Sequence, residues 1–425
     1  MKLDSYWLDT TPRCLSVAAG PVEGRADVVV IGGGFTGLSA AVALAQRGAS
    51  VVVLEAGRLG GGASGRNGGQ CNTGVAQDYL ALSEQLGEAR ASACYRAYAA
   101  AVATVERLIH EEGIACGYRA SGKLKLASKP KHFAHLELTA ERIRREVDPQ
   151  IEMIGAEQIR REVDSPAFYG GLLQKNGGQM HMGQFALGLA DAAARRGVLL
   201  YEKTAVTGLS RIGGDAYRVS STGGDVLAKQ VLVATGPSRH GPFNWFRRRL
   251  APIGSFVVVT EPLPAGLLAQ MLPNQRSYVT SRLMHNYFRV LPDERLLFGG
   301  RARFTASEQP SDIKSGRILQ RGLAKMFPAL AQTRIDYCWG GLVDITADRM
   351  PRAGQHDGLY YAMGYSGHGT QMATHMGQVM AAVMGGEPAA NPWREFDWPA
   401  IPGHTGKPWF LPLVGAYFQV KDLFY

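Results

Sequence analysis

The chain has 425 residues, of which 46 are Lys or Arg and 36 are Asp or Glu, giving a formal net charge of +10. Because single hydrophobic cores stop growing at about 250–300 residues, this length predicts two domains. No apolar run approaches the roughly 20 residues of a membrane-spanning helix and residues 1–5 lack a secretory apolar region, so the sequence predicts a cytoplasmic protein.

The first predicted strand, Asp27–Ile31, leads into a glycine turn that fits G-x-G-x-x-G. In this pattern Gly32 permits the tight turn, Gly34 lets the backbone approach a pyrophosphate, and Gly37 lets the next helix pack closely on the strand. The turn therefore predicts the phosphate-binding end of a dinucleotide site.

The following elements complete the same βαβ unit. Residues 38–47 are rich in Ala and Leu and predict a helix whose N-terminal amides and dipole face the phosphates. The strand Ser50–Leu54 then ends at Glu55, whose carboxylate can accept hydrogen bonds from both ribose hydroxyls. An acid at this position disfavours a 2′-phosphate.

The segment Arg58–Gln70 is too rich in glycine to form a core element and too patterned for a linker. It predicts a second loop against the cofactor, called the cofactor loop below. NAD has no need of such a loop, whereas FAD must be held along its pyrophosphate, ribityl chain and ring. The loop therefore favours FAD over NAD.

The next region predicts the start of a different domain. Apolar residues recur every three or four positions between Tyr79 and Ile109, which predicts helices, and Gly122–Leu126 predicts a strand. Further strands are predicted at Ser255–Thr260 and Asn286–Val290. Because side chains alternate along a strand, Tyr287 and Arg289 share one face of the last one.

Four later segments complete the pattern. They are Thr204-Ala205-Val206, Val231-Leu232-Val233-Ala234-Thr235-Gly236, Trp339-Gly340-Gly341 with Asp348-Arg349-Met350-Pro351, and Gly364-Tyr365-Ser366-Gly367-His368-Gly369. With the N-terminal unit, they make the chain resemble the glycine/D-amino-acid oxidase superfamily of FAD enzymes over nearly its whole length.

The resemblance implies an α/β fold in which a Rossmann-like FAD-binding domain is interleaved with an α+β substrate domain containing a mixed sheet. It assigns residues 26–75, 176–240 and 336–385 to the FAD-binding domain and residues 76–175 and 241–335 to the substrate domain. Residues 386–425 form an aromatic C-terminal tail.

The spacing and the resemblance together predict the residues that hold a noncovalent FAD. They are Gly32, Gly34, Phe35, Thr36, Gly37, Glu55, Ala56, Ser64, Gly65, Arg66, Asn67, Gly68, Gly69, Gln70, Val206, Thr235, Gly236, Gly341, Gly364, Ser366, Gly367, His368, Gly369 and Thr370. The segment from Gly364 has its own rationale, because a helix N-terminus offers amide donors and positive potential to the negative charge of a reduced flavin.

The family's reaction is hydride transfer from the carbon next to an amine to flavin N5, leaving an imine, and the cofactor supplies this chemistry. The protein must orient the substrate and bind any carboxylate, for which the planar fork of an arginine is suited. The candidate catalytic residues are Arg66, Tyr287, Arg289, Arg301, Tyr365 and His368. For Arg66 a backbone or phosphate contact, and for His368 a helix cap, stay open as alternatives.

Within the superfamily the chain resembles the branch of γ-glutamylputrescine oxidoreductases and bacterial L-pipecolate oxidases. Asn286 and His181-Met182 depart from the polyamine pattern, so L-pipecolate is the first expectation and γ-glutamylputrescine the second. A D-amino-acid oxidase or dehydrogenase is a further alternative. An RNA-modifying flavoprotein, the alternative of another class, predicts a continuous basic groove, whereas the charges here are scattered.

The electron acceptor is predicted to be O₂ or a quinone. Some family oxidases place a lysine over the flavin to assist oxygen, and the aligned position here is Leu297. A membrane quinone would suit the basic turn Arg247-Arg248-Arg249 and the aromatic residues of the tail, because aromatic and basic residues favour an interfacial membrane contact. A solvated turn and a packed tail are the alternative.

Five cysteines, an odd number without C-x-x-C spacing, indicate neither a disulfide framework nor a zinc site.

Overall fold

The structure, a computed structural model, describes residues 1–213, 216–236, 238, 241–300 and 309–424. Over these residues, no helix has the length and apolar character needed to cross a membrane.

The strands of the described residues are, in chain order, β1 (Arg25–Ile31), β2 (Val51–Leu54), β3 (Gln70–Asn72), β4 (Arg119–Ala120), β5 (Lys123–Leu126), β6 (Glu152–Ile154), β7 (Gly171–Gln174), β8 (Gly177–Gln179), β9 (Leu199–Tyr201), β10 (Val206–Ile212), β11 (Ala216–Ser221), β12 (Gly224–Val233), β13 (Ala251–Thr260), β14 (Ser277–Thr280), β15 (Asn286–Val290), β16 (Leu296–Gly300), β17 (Ile335–Ile345), β18 (Arg352–His356) and β19 (Leu359–Met363). The helices are α1 (Tyr6–Asp9), α2 (Phe35–Gln46), α3 (Tyr79–Leu86), α4 (Glu88–Glu112), α5 (Pro130–Glu146), α6 (Met182–Ala194), α7 (Asn244–Arg247), α8 (Leu267–Met271), α9 (Gln309–Met326), α10 (Gly369–Met384) and α11 (Leu411–Phe424).

The first sheet is the Rossmann-like one. Its strand order is β10-β11-β12-β1-β2-β9, and β19 pairs with both β12 and β18. The pairs at its centre are parallel, with β1 between β12 and β2. The valines of β1 and β2 are buried on both faces, as expected for parallel strands covered on both sides.

Two helices lie against each other beside this sheet. A β-carbon at Gly377 of α10 would lie 2.5 Å from the Thr36 carbonyl oxygen and 2.8 Å from the Ala40 amide nitrogen of α2. The Ser39 hydroxyl, also on α2, donates to the Thr374 carbonyl at 2.7 Å. Glycine therefore permits a backbone contact between the helix that follows the glycine turn and the helix that follows the Gly364–Gly369 segment.

The second sheet is mixed, with strand order β17-β13-β16-β15-β14-β5-β7-β6. Its β14 and β5 are parallel, whereas its other pairs are antiparallel. The alternation predicted for β15 is present. Phe288 points into a core beside α9, where its ring stacks on Tyr278 at 4.9 Å, and Tyr287 and Arg289 point to the opposite face.

The chain alternates between these two sheets, but three strands of the segments assigned to the FAD-binding domain lie outside the first sheet. Two of them, β3 and β8, pair with each other, and β8 also pairs with β4, in a third sheet of three strands. The strand β17 falls within the segment 336–385 assigned to the FAD-binding domain, but it pairs with β13 in the second sheet. Its long antiparallel ladder with β13, from Ala251 opposite Ile345 to Thr260 opposite Ile335, explains this placement. A strand of the second sheet therefore presents Gly341 to the cofactor side.

Candidate active site

One continuous cavity of about 920 Å³ is lined from both sheets. At one end, called the nucleotide end, lie Gly32, Gly34 and Glu55. At the other, called the roof end, the second sheet contributes Lys123, Lys125 and Tyr287.

The nucleotide end is made largely of backbone. Gly32 has φ +110°, and a β-carbon there would lie 2.6 Å from the Ala234 carbonyl oxygen, so the turn requires glycine. The carboxylate of Glu55 accepts hydrogen bonds from the amides of Gly33 and Gly57, each at 2.7 Å. Burial raises the pKa of Glu55. These amide contacts orient the acid at the end of β2, where the ribose was predicted.

The cofactor loop is fixed by contacts to its own backbone and to β17. The guanidinium of Arg66 donates to Gly61 O at 3.0 Å and to Gly340 O at 3.3 Å, and the Trp339 indole donates to Arg66 O at 2.9 Å. Arg66 lines the cavity, but its guanidinium contacts backbone carbonyls. Arg66 therefore makes the backbone contact that the sequence left open as the alternative to a catalytic role.

The segment before α10 closes the same side of the cavity. Ser366 has φ +52° and Gly367 φ +96°, which turn the chain into the helix. The buried carboxylate of Asp344 accepts from the Gly364 amide at 2.6 Å, and burial raises the pKa of Asp344 to about 6. Tyr365 and Thr36 share a hydrogen bond of 2.8 Å between their hydroxyls, which joins this segment to the glycine turn.

His368 is the N-cap residue of α10 by position, although its side chain makes no capping hydrogen bond. Its ring lies edge-on to the buried Tyr98 ring, with 5.5 Å between centroids. The residue lines the cavity and is partly buried.

Tyr287 and Arg289 share a face of β15 but occupy different environments. The Tyr287 ring lines the cavity and is wedged between Gly68 and Gly299, at either of which a β-carbon would collide with the ring. Arg289 is buried below the cofactor loop, where its Nη1 donates to Gly69 O and, at 2.9 Å, to Met180 O. The expectation that Arg289 faces the substrate is therefore corrected, because the loop lies between it and the cavity. Arg301 lies outside the described residues.

Most residues predicted to hold the cofactor line the cavity. They are Gly32, Gly34, Phe35, Thr36, Glu55, Ala56, Ser64, Arg66, Asn67, Gly68, Gln70, Val206, Thr235, Gly236, Gly341, Ser366, Gly367, His368, Gly369 and Thr370. Gly37, Gly65, Gly69 and Gly364 lie behind the wall, where a β-carbon would crowd neighbouring atoms of the protein. Their role in the structure is close packing.

Lys123 and Lys125 are not among the residues predicted from sequence. Both line the roof end, and desolvation lowers the pKa of both lysines, that of Lys123 to about 7. The available signal was the alternation Lys-Leu-Lys-Leu in β5, in which Leu124 and Leu126 are fully buried. That pattern places both lysines on one face, but only the fold shows that this face borders the cavity.

His181 and Asn286, which depart from the polyamine pattern, both make hydrogen bonds within the protein. His181 caps α6 by accepting the Gln184 amide at 3.2 Å, and burial lowers the pKa of His181 to about 4. The Asn286 side chain donates to Gly299 O at 3.3 Å. Neither contact argues for or against a particular amine.

Comparison with known proteins decides the family. The family model described as FAD-dependent oxidoreductase (DAO) matches residues 27–383. The chain belongs to this family of FAD-dependent oxidoreductases. Its cofactor is therefore FAD, and the cavity fits it, because the bare backbone at Gly32 and the oriented Glu55 carboxylate suit a diphosphate and a ribose.

Among relatives, this oxidoreductase is 34% identical over 402 residues to γ-glutamylputrescine oxidoreductase of Escherichia coli (strain K12), which covers 93% of this chain and 92% of the relative. The crystal structure of glycine oxidase from Geobacillus kaustophilus superposes with a TM-score of 0.71 at 24% identity, covering 89% of this chain and 100% of that one. L-proline dehydrogenase from P. horikoshii gives 0.69 at 20% identity, covering 88% and 98%. The two structures support the fold alone.

Proposed function

We propose that this oxidoreductase oxidises the C–N bond of a small amine that also carries a carboxylate, with a γ-glutamyl amine such as γ-glutamylputrescine as the first candidate. The observation that carries the proposal is the continuous cavity, which joins the nucleotide end to a roof end that holds Tyr287 and two lysines. The similarity to a γ-glutamylputrescine oxidoreductase supports the same substrate class. L-pipecolate, the first expectation from sequence, becomes the second candidate, because the similarity to γ-glutamylputrescine oxidoreductase extends over 93% of the chain.

When bound, FAD accepts the hydride from the carbon next to the nitrogen. The residues of the chain orient the substrate and exclude water. Tyr287, held between two glycines, gives the cavity a rigid aromatic wall. The N-terminus of α10, at Gly369 and Thr370, directs positive potential into the cavity, which favours negative charge there.

The test is anaerobic reduction of the FAD-loaded protein, followed by the loss of flavin absorbance, with γ-glutamylputrescine, putrescine, L-pipecolate and D-alanine offered separately. We expect γ-glutamylputrescine to bleach the flavin fastest. Bleaching by L-pipecolate alone would replace the first candidate by the second, and bleaching by D-alanine alone would favour a D-amino-acid oxidase or dehydrogenase. A fully loaded protein that no amine reduces would overturn the proposal.

We propose further that the electrons pass from the flavin to a membrane quinone, with O₂ as the alternative acceptor, and that the tail makes a peripheral membrane contact. In the part of the tail that the structure describes, four large apolar side chains are exposed at spacings of four, four and three residues, namely Trp409, Leu413, Tyr417 and Val420, with exposed fractions of 57–66%. Such spacing places the last three on one face of α11. An exposed stripe of this kind suits a lipid interface.

The basic turn lies beside the segment that leads into this helix. The Ile401 amide donates to Arg248 O at 2.9 Å, and the Arg249 side chain donates to Trp398 O at 2.8 Å. Arg248 and Lys407 are exposed. The two groups singled out in the sequence are thus joined in space, and their charge suits anionic headgroups.

A further inference from the structure

The roof end of the cavity holds two cations side by side. Lys123 and Lys125 are two residues apart on β5 and both line the cavity, while Leu124 and Leu126 between and beyond them pack into the core next to α9. The positions of the two leucines fix which way the strand faces. Both lysines therefore belong to the cavity wall.

Neither lysine has an ionic partner within the part of the chain that the structure describes. The Lys123 ammonium donates to Thr73 O at 2.7 Å, which leaves donors unused. The carboxylate that acts on Lys125 is that of Asp78, but its oxygens already accept from the amides of Leu80 and Ala81 and contact His135 Nε2 at 2.9 Å. Because buried charges are normally paired, two adjacent cations on a cavity wall favour the binding of an anion.

Asn72, which precedes Thr73, carries a polar group without a partner in the described part of the chain. The Asn72 side chain is about nine-tenths buried and borders the cavity, and its Oδ1 has no hydrogen-bond partner among the described residues, while its amide donates to Gln70 Oε1 at 3.1 Å. An unpartnered carbonyl oxygen costs free energy unless a donor reaches it. The position thus offers an acceptor to an ammonium group beside the two lysines.

We propose that Lys123, Lys125 and Asn72 form a subsite for an amino-acid headgroup, in which the two lysines bind the carboxylate and Asn72 Oδ1 accepts from the ammonium. This inference rests on the proposed function and names the part of the substrate that the roof end recognises. It predicts selection for amines that carry an α-amino-acid group, as a γ-glutamyl amine does, over simple diamines.

The first experiment measures binding without turnover. Glutarate, which has no amine to oxidise, is titrated into the oxidised FAD-loaded protein, and the flavin spectrum reports the apparent Kd. Replacing Lys125→Gln or Lys123→Gln removes a charged hydrogen bond, so we expect Kd to rise at least about tenfold. The matched control is Lys175→Gln, an exposed lysine that pairs with Glu152 just after β7 and should leave Kd unchanged.

The second experiment measures selectivity. In the unaltered protein kcat/KM should be higher for γ-glutamylputrescine than for putrescine, and Lys125→Gln should reduce this ratio about tenfold through KM, with Lys125→Arg restoring most of it. Asn72→Ala should lower the ratio without changing the Kd of glutarate, because glutarate has no ammonium. The FAD content and melting temperature of each variant identify a folding defect. If Lys125→Gln has such a defect, the selectivity of Lys125→Arg, which keeps the charge, tests the subsite.

The outcomes separate the subsite from the proposed function. If amines reduce the flavin but both glutamine variants keep the unaltered Kd and selectivity, the subsite is overturned and the function stands. If no amine reduces the flavin while glutarate binding still depends on the lysines, the function fails and the carboxylate site remains. Variants that slow only the reoxidation by O₂ would assign the lysines to the acceptor and overturn the subsite.

Discussion

At the nucleotide end the cavity wall is mostly backbone, whereas at the roof end it is made of side chains from separate strands. Gly32, Gly34 and the amides around Glu55 come from one stretch of about thirty residues, and their geometry is set by glycine and by short-range hydrogen bonds. Lys123 and Tyr287 line the same end of the cavity only because β5, β14 and β15 are neighbours in the second sheet. The nucleotide end is thus formed by one short stretch of sequence, whereas the roof end is formed by the pairing of strands that are distant in sequence.

The largest effect should follow from adding a side chain at the nucleotide end, where the packing around the glycine turn leaves no room for one. A β-carbon at Gly37 would collide with the Gly32 carbonyl oxygen, so Gly37→Val should abolish FAD binding or folding. Flavin content after purification measures this. Gly155→Val is the matched control, because a β-carbon there meets no atom within 4 Å. Full FAD content in the Gly37 variant would contradict a locally rigid nucleotide end.

The next effect concerns the buried arginine below the cofactor loop. Arg289→Met removes the donor to Met180 O, which has no other donor among the described residues, and one of the two donors to Gly69 O, which keeps the Met180 amide at 3.1 Å. Leaving one buried carbonyl unpaired should cost about 1–3 kcal/mol of unfolding free energy. Urea unfolding and the Kd for FAD should both show the loss. If instead only KM for the amine rises while stability and FAD affinity are unchanged, Arg289 contacts the substrate after all.

A pH titration sharpens the description of the roof end. Desolvation and, to a smaller extent, the nearby charge of Lys125 lower the pKa of Lys123 from its ordinary value of 10.5 to about 7. The charged group that acts on Lys125 is Asp78. A lysine with a lowered pKa is mostly neutral above that pH, and an anion binds the protonated form. The apparent Kd of glutarate should therefore rise as pH increases above about 7, by at most about tenfold per pH unit for one proton. Lys123→Gln should flatten this slope, and an equal slope in that variant would exclude Lys123 as its source.

The lowered pKa of Lys123 also predicts how the stability of the ligand-free protein changes with pH. Between pH 7 and the ordinary pKa, the unfolded state binds more protons at Lys123 than the folded state does. The contribution of this lysine to the free energy of unfolding should therefore increase with pH over that window.

The smallest effect on catalysis should come from Leu413 and Tyr417 of the tail, which are exposed and do not line the cavity. Replacing Leu413→Ser together with Tyr417→Ser should leave amine reduction unchanged but reduce flotation with vesicles containing phosphatidylglycerol. Flotation with vesicles of zwitterionic phosphatidylcholine, which carry no net charge, should be weaker and insensitive to Arg248→Gln. Equal recovery of the unaltered and variant proteins with anionic vesicles would exclude this surface as the membrane contact.

The same contrast explains what could be predicted from sequence. The βαβ unit and most cofactor-side residues of the cavity follow from glycine spacing, periodicity and family resemblance, because those signals lie in short stretches of sequence. Arg289 was misplaced because alternation gives its face but not the loop that covers it. Lys123 and Lys125 were missed because their importance depends on the parallel pairing of β5 with β14, two strands about 150 residues apart in sequence.

The backbone contact at Gly377 has a consequence for how the protein acquires its flavin. It joins α2 and α10, whose N-termini begin at Phe35 and Gly369 on the cavity wall, so the separation of those two termini is set by the polypeptide before any cofactor arrives. The apoprotein should therefore present a preorganised receptor. Its reconstitution should be fast and accompanied by little additional protection of these helices against hydrogen exchange, unlike a site that folds around its ligand.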